Sequence, residues 1–419
     1  MSNQTGGLFQ QADILLYTGA DPTAFSVVAC DQFTSQPEYW ERVGRAAGDK
    51  PSALHLVFPE AWLKTAPFEE TISAINRSMQ DYLDRGLFRE LPQSFLYMER
   101  TLRDGRIRRG LIGQVDLERY DYRPGSHSPV RATEGTVLER IPPRVKIREN
   151  APLELPHMML LMDDRDQRIL EALGERKDAF EQVYAFPLME DSGALKGWLL
   201  PKEEEARLRL ALDALAEVNQ GEVVLAVGDG NHSLAAARQC YLNLKERLGE
   251  EAARRHPARY ALAELVSLHD PALVFEPIHR IVRGVKPERL LEALGRQFRL
   301  EEAPVPGGQR IDLVLRGESS PLYIANPSRS LPVGTLQAFL DEYTTAQGGE
   351  TDYIHGADVV RELSRQADSV GFLLEAMDKR ELFQTVALEG ALPRKTFSMG
   401  EAWDKRFYYE ARRIQHTAP

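Results

Sequence analysis

The chain has 419 residues, of which 43% are apolar and 27% charged, so it is long enough to bury more than one hydrophobic core. Its formal net charge of −11 repels nucleic-acid phosphates, and its two cysteines are too few for a disulfide framework or a thiolate zinc site. The sequence shows no basic and apolar leader, and no apolar run of the roughly 18 residues that a membrane span needs. We therefore expect a cytoplasmic protein whose partners are small molecules, with neither nucleic acid nor membrane among them.

Taken in chain order, the first third of the sequence predicts a mixed region of helices and strands. A helix is predicted to begin at Pro37, where Ser35 and Glu38 have the spacing of a capping box. The pair Asp104-Gly105 is typical of a tight hairpin turn. Hydrophobic periodicity predicts further helices over residues 72–83, 167–180, 202–219 and 357–366. The predicted strands cover residues 95–102, 107–117, 158–162, 223–227 and 261–268.

The strongest local signal is the loop at residues 228–233, whose sequence is Gly-Asp-Gly-Asn-His-Ser. An unalternating apolar strand precedes it, and a good helix-forming run follows it. Ser233 is predicted to cap that helix, whose first N–H groups and positive dipole end suit a phosphate or carboxylate. Gly228 and Gly230 would let such a ligand approach the backbone closely. The spacing leaves open the alternative that the two glycines serve only a tight turn.

The charged residues of this loop favour a metal-nucleotide site. Asp229 would repel a phosphate unless Mg²⁺ lay between them, and Mg²⁺ is commonly bound by one or two carboxylates together with substrate phosphates. Asp229 is therefore the predicted metal ligand. His232 could donate to a phosphoryl oxygen or carry a proton, because the reference pKa of histidine is about 6.5. The loop is neither a P-loop nor a dinucleotide fingerprint, since it lacks both glycine patterns.

Six further segments combine with this loop into a specific pattern. They are Val28–Pro37, Gly110–Gly113, Val130–Thr136, Pro277–Arg280, Tyr353–Gly356 and Pro393–Ala402. On these segments, nearly the whole chain resembles an uncharacterised conserved prokaryotic protein family, a domain of unknown function. The loop of that family more often reads Asp-Gly-His-His-Arg. It is similar to the phosphate-binding loop of the ParB/sulfiredoxin-like fold, a group that includes nucleotide-hydrolysing partition proteins, sulfiredoxin and free serine kinases.

From this resemblance we expect an α/β protein with a ParB/sulfiredoxin-like core over residues 126–300. An N-terminal α+β region, 1–125, and a C-terminal α+β region, 301–419, would elaborate that core. The resemblance also implies a Mg²⁺-dependent phosphotransferase that uses ATP or ADP. Its acceptor would be a small hydroxylated metabolite, with free serine or a related amino acid as the named candidate. The choice of serine is an analogy from fold.

Phosphoryl transfer to an alcohol usually needs a carboxylate that positions or deprotonates the hydroxyl. The first candidate is Glu134, which resembles the position of an acid in the related kinases, although an exposed glutamate at a strand end is the plain alternative. Asp31 is the second candidate, and it could equally serve turn chemistry at a helix entrance. These two carboxylates and His232 are the predicted catalytic residues.

Loop residues and two distant cations are expected to contact the nucleotide. The predicted contacts are Gly228, Gly230, Asn231, Ser233, Arg280 and Lys395. Asn231 and Ser233 stand where the family's loop more often has histidine and arginine, so the guanidinium that would grip a phosphate is absent from the loop. Arg280 and Lys395 are expected to supply positive charge from other segments.

Three alternatives to a kinase stay open at this point. A phosphohydrolase of a phosphorylated amino acid would use the same loop and metal, with water as the nucleophile. A nucleotide-binding switch that resembles the partition proteins would need a DNA-binding module, and the sequence shows no helix-turn-helix with a basic recognition face. A non-catalytic protein with a vestigial site would account for the substituted loop. The sequence leaves the oligomeric state open.

Overall fold

The computed structural model describes residues 7–219 and 223–415. The helices are α1 (Pro22–Phe25), α2 (Pro37–Ala47), α3 (Phe68–Asp84), α4 (Ile141–Arg148), α5 (Leu170–Arg176), α6 (Lys202–Val218), α7 (Asn231–Leu248), α8 (Glu250–Arg254), α9 (Pro287–Gln297), α10 (Pro332–Gln347), α11 (Ala357–Leu363) and α12 (Leu382–Glu389). Among the residues it describes, none of these helices is both long and apolar enough to cross a membrane.

The strands are numbered in the same way along the chain. They are β1 (Phe9–Gln10), β2 (Ala12–Tyr17), β3 (Phe88–Ser94), β4 (Leu96–Thr101), β5 (Ile107–Asp116), β6 (Tyr120–Asp121), β7 (Val130–Ala132), β8 (Leu153–Glu154), β9 (Met159–Met162), β10 (Glu181–Pro187), β11 (Ala194–Leu199), β12 (Leu225–Asp229), β13 (Tyr260–Ser267), β14 (Phe275–Arg283), β15 (Leu300–Glu301), β16 (Gln309–Leu315), β17 (Glu318–Ile324), β18 (Glu350–His355), β19 (Ser369–Leu373), β20 (Phe397–Met399) and β21 (Glu410–Arg413).

The chain divides into two compact units. The first unit contains the described residues up to Leu273 and those from Gly400 onward, and the second unit is Val274–Met399. The boundaries predicted near residues 125 and 300 each fall inside a unit. The main sheet draws strands from both sides of the first predicted boundary, because β5 pairs with β13. The division into three regions stays a prediction from the sequence.

The first unit is built on a ten-stranded mixed sheet. Its strand order is β10-β11-β4-β5-β13-β9-β12-β7-β6, with β1 paired to β5. The pairs β12–β7 and β13–β9 are parallel, whereas β12–β9 and β13–β5 are antiparallel. A smaller sheet of four strands has the order β3-β2-β21-β8. The expectation of a mixed α/β fold is confirmed.

Strand β12 and helix α7 share one hydrophobic core of the first unit. Leu225 and Val227 of the strand pack in the same buried cluster as Leu234 and Tyr241 of the helix. The intervening Ala226 is also buried, which explains why this strand shows no polar alternation in the sequence. Burial on both faces fixes the position of the strand end from which the loop 228–233 departs.

The second unit contains a seven-stranded sheet of order β15-β17-β16-β19-β14-β18, with β20 paired to β14. Helix α11 packs against it, because Val360 is buried in one cluster with Ile281, Val314 and Leu373. The helix predicted over residues 357–366 corresponds to α11, which ends three residues earlier.

The predicted hairpin is confirmed, since β4 and β5 pair antiparallel around Asp104-Gly105. The capping box predicted at the entrance of α2 is wrong. Helix α2 does begin at Pro37, but Gln36 is its N-cap and no side chain in the described residues caps it. Ser35 therefore does not hold the helix end, and the fixed φ of Pro37 favours the first turn instead.

Candidate active site

The predicted loop lies at one edge of the main sheet. Strands β7 and β12 are parallel, with Ala132 in register with Val227, so their carboxyl ends meet at the same edge. Strand β9 begins there as well, because Met159 pairs with Asp229 in the antiparallel direction. Glu134 follows β7 directly, so strand pairing brings its segment and the Asp229 loop to one edge.

Two hydrogen bonds join the segment after β7 to the loop and helix. The Thr133 hydroxyl donates to the carbonyl oxygen of Val227 at 2.6 Å, and the Val137 N–H donates to Nε2 of His232 at 3.1 Å. Because Nε2 accepts this bond, a neutral His232 carries its proton on Nδ1.

Helix α7 begins at Asn231, immediately after a backbone bend. The N-cap is Gly230 at φ 78°, and in the described residues no side chain caps this helix. The prediction that Ser233 is the N-cap is wrong, because the left-handed glycine starts the helix earlier and places Ser233 in its first turn. A Cβ atom on Gly230 would lie 3.0 Å from Cγ of Met158. A side chain at this position would therefore push Met158 aside and would strain the left-handed backbone.

Asp31 meets a histidine that the sequence analysis did not single out. Nε2 of His157 lies 3.5 Å from Oδ2 of Asp31. Burial alone would raise the pKa of Asp31, but the charge of His157, hydrogen bonds from His157 and Gln32, and the charge of Lys405 together hold it well below its usual range. Burial alone would lower the pKa of His157, but Asp31 and then Asp229 raise it. Asp31 and His157 therefore each favour the charged form of the other.

The other face of this imidazole is held by a tyrosine. The Tyr408 hydroxyl lies 2.7 Å from Nδ1 of His157 and accepts the Cys30 N–H at 3.0 Å. The Ser233 hydroxyl approaches Nε2 of His157 at 3.5 Å. His157 thus connects Asp31, from the N-terminal part of the chain, to the first turn of α7.

The loop carboxylate has its own cation. Oδ1 of Asp229 accepts the Gly230 N–H at 2.9 Å, and Oδ2 lies 3.4 Å from Nζ of Lys405. Together with Asp31 and His157, this places two carboxylates, a lysine and a histidine at the N-terminus of α7. The positive helix end adds a partial charge that favours an anion at the same place.

The donor set at this edge suits a magnesium ion that arrives with phosphates. Within residues 7–219 and 223–415, no cluster of three or more histidine, cysteine or acidic side chains could hold a metal ion. Mg²⁺ does not require such a cage, since it usually keeps waters and takes one or two carboxylates plus phosphate oxygens. Asp229, with Asp31 nearby, is the carboxylate that could fill this role.

Two polar atoms beside the loop are buried without a hydrogen-bond partner in the described part of the chain. They are Oδ1 of Asn231 and Oγ1 of Thr136. A buried polar group that makes no hydrogen bond costs about 1–3 kcal/mol, so native structures rarely leave one unsatisfied. A polar ligand bound at this edge could form hydrogen bonds with these two atoms.

Arg280 and Lys395 both lie in the second unit. Arg280 is fully buried, its Nε donates to Oε1 of Gln337 at 2.7 Å, and its guanidinium lies 4.6 Å from the ring centre of Tyr353. Lys395 is exposed and has a left-handed backbone at φ 59°. Their predicted role in nucleotide binding stays a prediction.

His157, Lys405 and Tyr408 are the site residues that sequence reasoning missed. His157 comes directly before the strand predicted at 158–162. The predicted strand places His157 at a strand start, but it gives no indication of the residues that His157 contacts. Lys405 and Tyr408 follow the Pro393–Ala402 segment in a stretch without a distinctive pattern. Only the folded chain brings them to the loop.

Comparison with known proteins identifies a family without a known activity. Residues 16–343 match the family described as "Protein of unknown function (DUF1015)". No curated protein matches the chain.

Solved structures give distant similarities. A free serine kinase in complex with AMP is 13% identical, with 71% of this chain and 90% of that chain covered and a TM-score of 0.38. A conserved hypothetical protein from Pyrococcus furiosus is 12% identical, with coverage of 72% and 94% and a TM-score of 0.36. SbnI with a C-terminal truncation, from Staphylococcus aureus, is 10% identical, with coverage of 69% and 83% and a TM-score of 0.36.

Proposed function

We propose that this chain, which belongs to the DUF1015 family of proteins of unknown function, is a Mg²⁺-dependent phosphotransferase that moves a phosphoryl group from a nucleotide to a small hydroxylated molecule. One observation carries the proposal. The Asp229–Lys405 pair and the Asp31–His157 pair meet at the N-terminus of α7, a helix with no capping side chain in the described chain. This arrangement supports the proposal that the site binds a phosphate together with a metal ion.

The phosphate would occupy the first turn of α7. Backbone N–H groups at a helix N-terminus point at a bound anion, and Gly230 keeps the approach free of a side chain. Lys405 supplies the positive charge that the family's loop more often takes from arginine at the position of Ser233. Asn231, whose Oδ1 is buried and unpartnered in the described residues, offers a polar contact for the nucleotide.

Magnesium, when bound with the nucleotide, would neutralise charge on the phosphate oxygens. Asp229 would hold it, and Asp31 is the nearby second carboxylate. Lys405 lies 3.4 Å from Asp229, so its ammonium group would be close enough to contact the phosphates as well.

We assign the acceptor's proton to Glu134, because Asp31 is poorly suited to receive it. A carboxyl whose pKa is held below its usual range is a weak base, and that is the state of Asp31 beside His157. In the proposed reaction, the acceptor hydroxyl oxygen attacks the terminal phosphorus of ATP or ADP. The new O–P bond forms as the bond to the next phosphate breaks. Glu134 takes the hydroxyl proton, and the shortened nucleotide leaves.

Two finer assignments belong to the same proposal. The core of the first unit would be of the ParB/sulfiredoxin-like kind, which rests on the similarity of the loop sequence. The nucleotide contacts expected of Arg280 and Lys395 rest only on their place in the family segments Pro277–Arg280 and Pro393–Ala402, and they stay a prediction from the sequence.

Isothermal titration with ATP and ADP, each with and without Mg²⁺, tests the proposal. We expect Mg²⁺-dependent binding that weakens at least tenfold in Asp229→Asn, because a metal ligand is lost. The matched control is Asp163→Asn. Asp163 also pairs with a histidine, His269 at 2.6 Å, but it follows the opposite end of β9.

Equal nucleotide affinity in wild type and Asp229→Asn would contradict the assignment of the loop 228–233 as the metal-nucleotide site. Absence of nucleotide binding, combined with phosphate release from a phosphorylated amino acid, would favour the phosphohydrolase. Binding of a nucleotide without transfer to any hydroxyl would favour the nucleotide-binding switch.

A further inference from the structure

A cavity of about 140 Å³ opens beside the first turn of α7. Ser233 and His157 belong to its wall, so it reaches the proposed site of phosphoryl transfer. Most of the remaining wall is apolar and includes Leu56, Phe58, Met79, Leu153, Leu155 and Met158. A cavity of roughly 150 Å³ with walls of this kind binds a six-carbon molecule such as benzene. The size therefore fits a compact hydrocarbon group of about six carbon atoms.

The charged side chains of the wall are mostly engaged with each other. Arg144 forms an ion pair with Glu60, and Arg148 forms one with Glu154. One donor is left over, because Nη2 of Arg148 is buried and has no hydrogen-bond partner among residues 7–219 and 223–415. A guanidinium N–H is best satisfied by a carboxylate oxygen. The cavity wall thus combines a mostly apolar surface with a guanidinium that could donate to an anionic oxygen.

From this combination we infer that the acceptor of the proposed phosphotransferase is a compact branched aliphatic hydroxy acid. Its hydrocarbon part fills the cavity, its carboxylate accepts from Arg148, and its hydroxyl faces Ser233 and His157. The inference rests on the proposed function for the role of the hydroxyl. The apolar pocket and its carboxylate contact do not depend on a nucleotide.

Free serine does not match this pocket. Serine has one CH₂ group and three polar groups, so it would leave most of the apolar wall in contact with water. Binding pockets of this type gain affinity from apolar contact and orientation from a few polar groups. We therefore expect the branched acid to be preferred over serine.

Ligand-observed NMR titration without nucleotide tests the pocket. The probes are 4-methylpentanoate, the matching alcohol 4-methylpentan-1-ol, and serine. We expect saturable binding of the acid, weaker binding of the alcohol, and no saturable binding of serine. Ala236→Leu, which adds a side chain to the cavity wall, should weaken acid binding at least tenfold. Leu63→Phe, from the half-buried part of the wall, provides the same test if Ala236→Leu does not fold.

Arg148→Met tests the carboxylate contact. The loss of one charged hydrogen bond should weaken acid binding about tenfold, which corresponds to about 1.4 kcal/mol, and should remove the preference over the alcohol. Glu154 is not stranded in this variant, because Arg412 still donates to it at 2.8 Å. The matched control is Arg238→Met, since Arg238 is 14% exposed against 13% for Arg148 and pairs with Asp121 outside the cavity.

The inference is overturned if 4-methylpentanoate shows no saturable binding, or if its affinity is unchanged in the cavity-filling variants. Its failure is distinct from that of the proposed function. Acid binding without any nucleotide binding would support the acid-binding pocket and contradict the proposed phosphotransferase function. Nucleotide binding without acid binding keeps the phosphotransferase and removes this substrate class. When both bind, transfer of labelled phosphate to 2-hydroxy-4-methylpentanoate, and not to serine, is the expected result.

Discussion

Nζ of Lys405 lies 3.4 Å from Oδ2 of Asp229, in a pair whose side chains are only 14% and 17% exposed. A cation so close to the loop carboxylate is expected to contact the phosphates of a bound nucleotide. Lys405→Met should therefore weaken nucleotide binding about tenfold or more, since hydrogen bonds to charged groups contribute about 1.5–3 kcal/mol. Isothermal titration calorimetry measures this change in nucleotide affinity. Lys245→Met, at the other end of α7 and paired with Glu118, should bind nucleotide as the wild type does.

The Asp31–His157 pair predicts a pH-dependent stability. His157 has a raised pKa, so its contribution is complete below the unfolded value of about 6.5 and is lost as pH rises through the folded pKa. Asp31 has a lowered pKa, so its contribution is complete above about 3.9 and is lost as pH falls. The pair therefore stabilises the fold most between about pH 4 and pH 6.5.

Urea unfolding of wild type and His157→Gln at pH 5.5 and pH 9 checks this dependence. At pH 5.5 the variant should lose about 1.5–3 kcal/mol of unfolding free energy, the scale of a hydrogen bond to a charged group, because the Asp31 side chain is 26% exposed. At pH 9 the loss should be smaller, because the imidazole of the wild type is then closer to neutral. The same loss at both pH values would show that His157 acts only through packing.

Gly230→Ala should perturb the loop more than an ordinary glycine substitution. Alanine in the left-handed region costs about 1–2 kcal/mol, and here its Cβ would also press on Met158 at 3.0 Å. Gly125→Ala is the matched control, because Gly125 also has a left-handed backbone, at φ 75°, and a Cβ atom there would meet no other atom within 4 Å. Thermal unfolding should show the larger loss for Gly230→Ala, and only that variant should lose nucleotide affinity.

Glu134→Gln separates binding from transfer. The variant should bind nucleotide normally but transfer phosphate about 10²–10⁴-fold more slowly, the usual contribution of a positioned acid–base group. Glu139→Gln, an exposed neighbour five residues further on, is the control and should keep full activity. Transfer at the wild-type rate in Glu134→Gln would move the role of base to Asp31.

Local features of the chain could be predicted from the sequence because local physics decides them. The buried run before the loop and the helix-forming run after it gave β12 and α7, and Asp104-Gly105 gave the hairpin turn. The N-cap was placed three residues late, at Ser233, because the sequence does not show that Gly230 adopts a left-handed backbone. The sequence indicated a helix start near this loop, but it did not indicate the backbone conformation of Gly230.

The partners within the site could not be predicted, because strand pairing and chain return bring them together. The segment of Glu134 comes to the same sheet edge as the loop through the parallel pairing of β7 with β12, and His157 comes there through the pairing of β9 with β12. Asp31 was chosen by its motif, but its partner His157 lay in an unremarkable position. No local pattern encodes such contacts between distant segments.

The segment after the second unit has a consequence for how the protein matures. Lys405 and Tyr408 belong to the part of the chain that returns to the first unit, where β21 pairs with β2 and β8. A ribosome must therefore finish the whole second unit before it delivers these two residues. During synthesis, the loop 228–233 therefore lacks Lys405, and His157 lacks its contact with Tyr408. A nascent chain should thus have no working site until its last strand has docked.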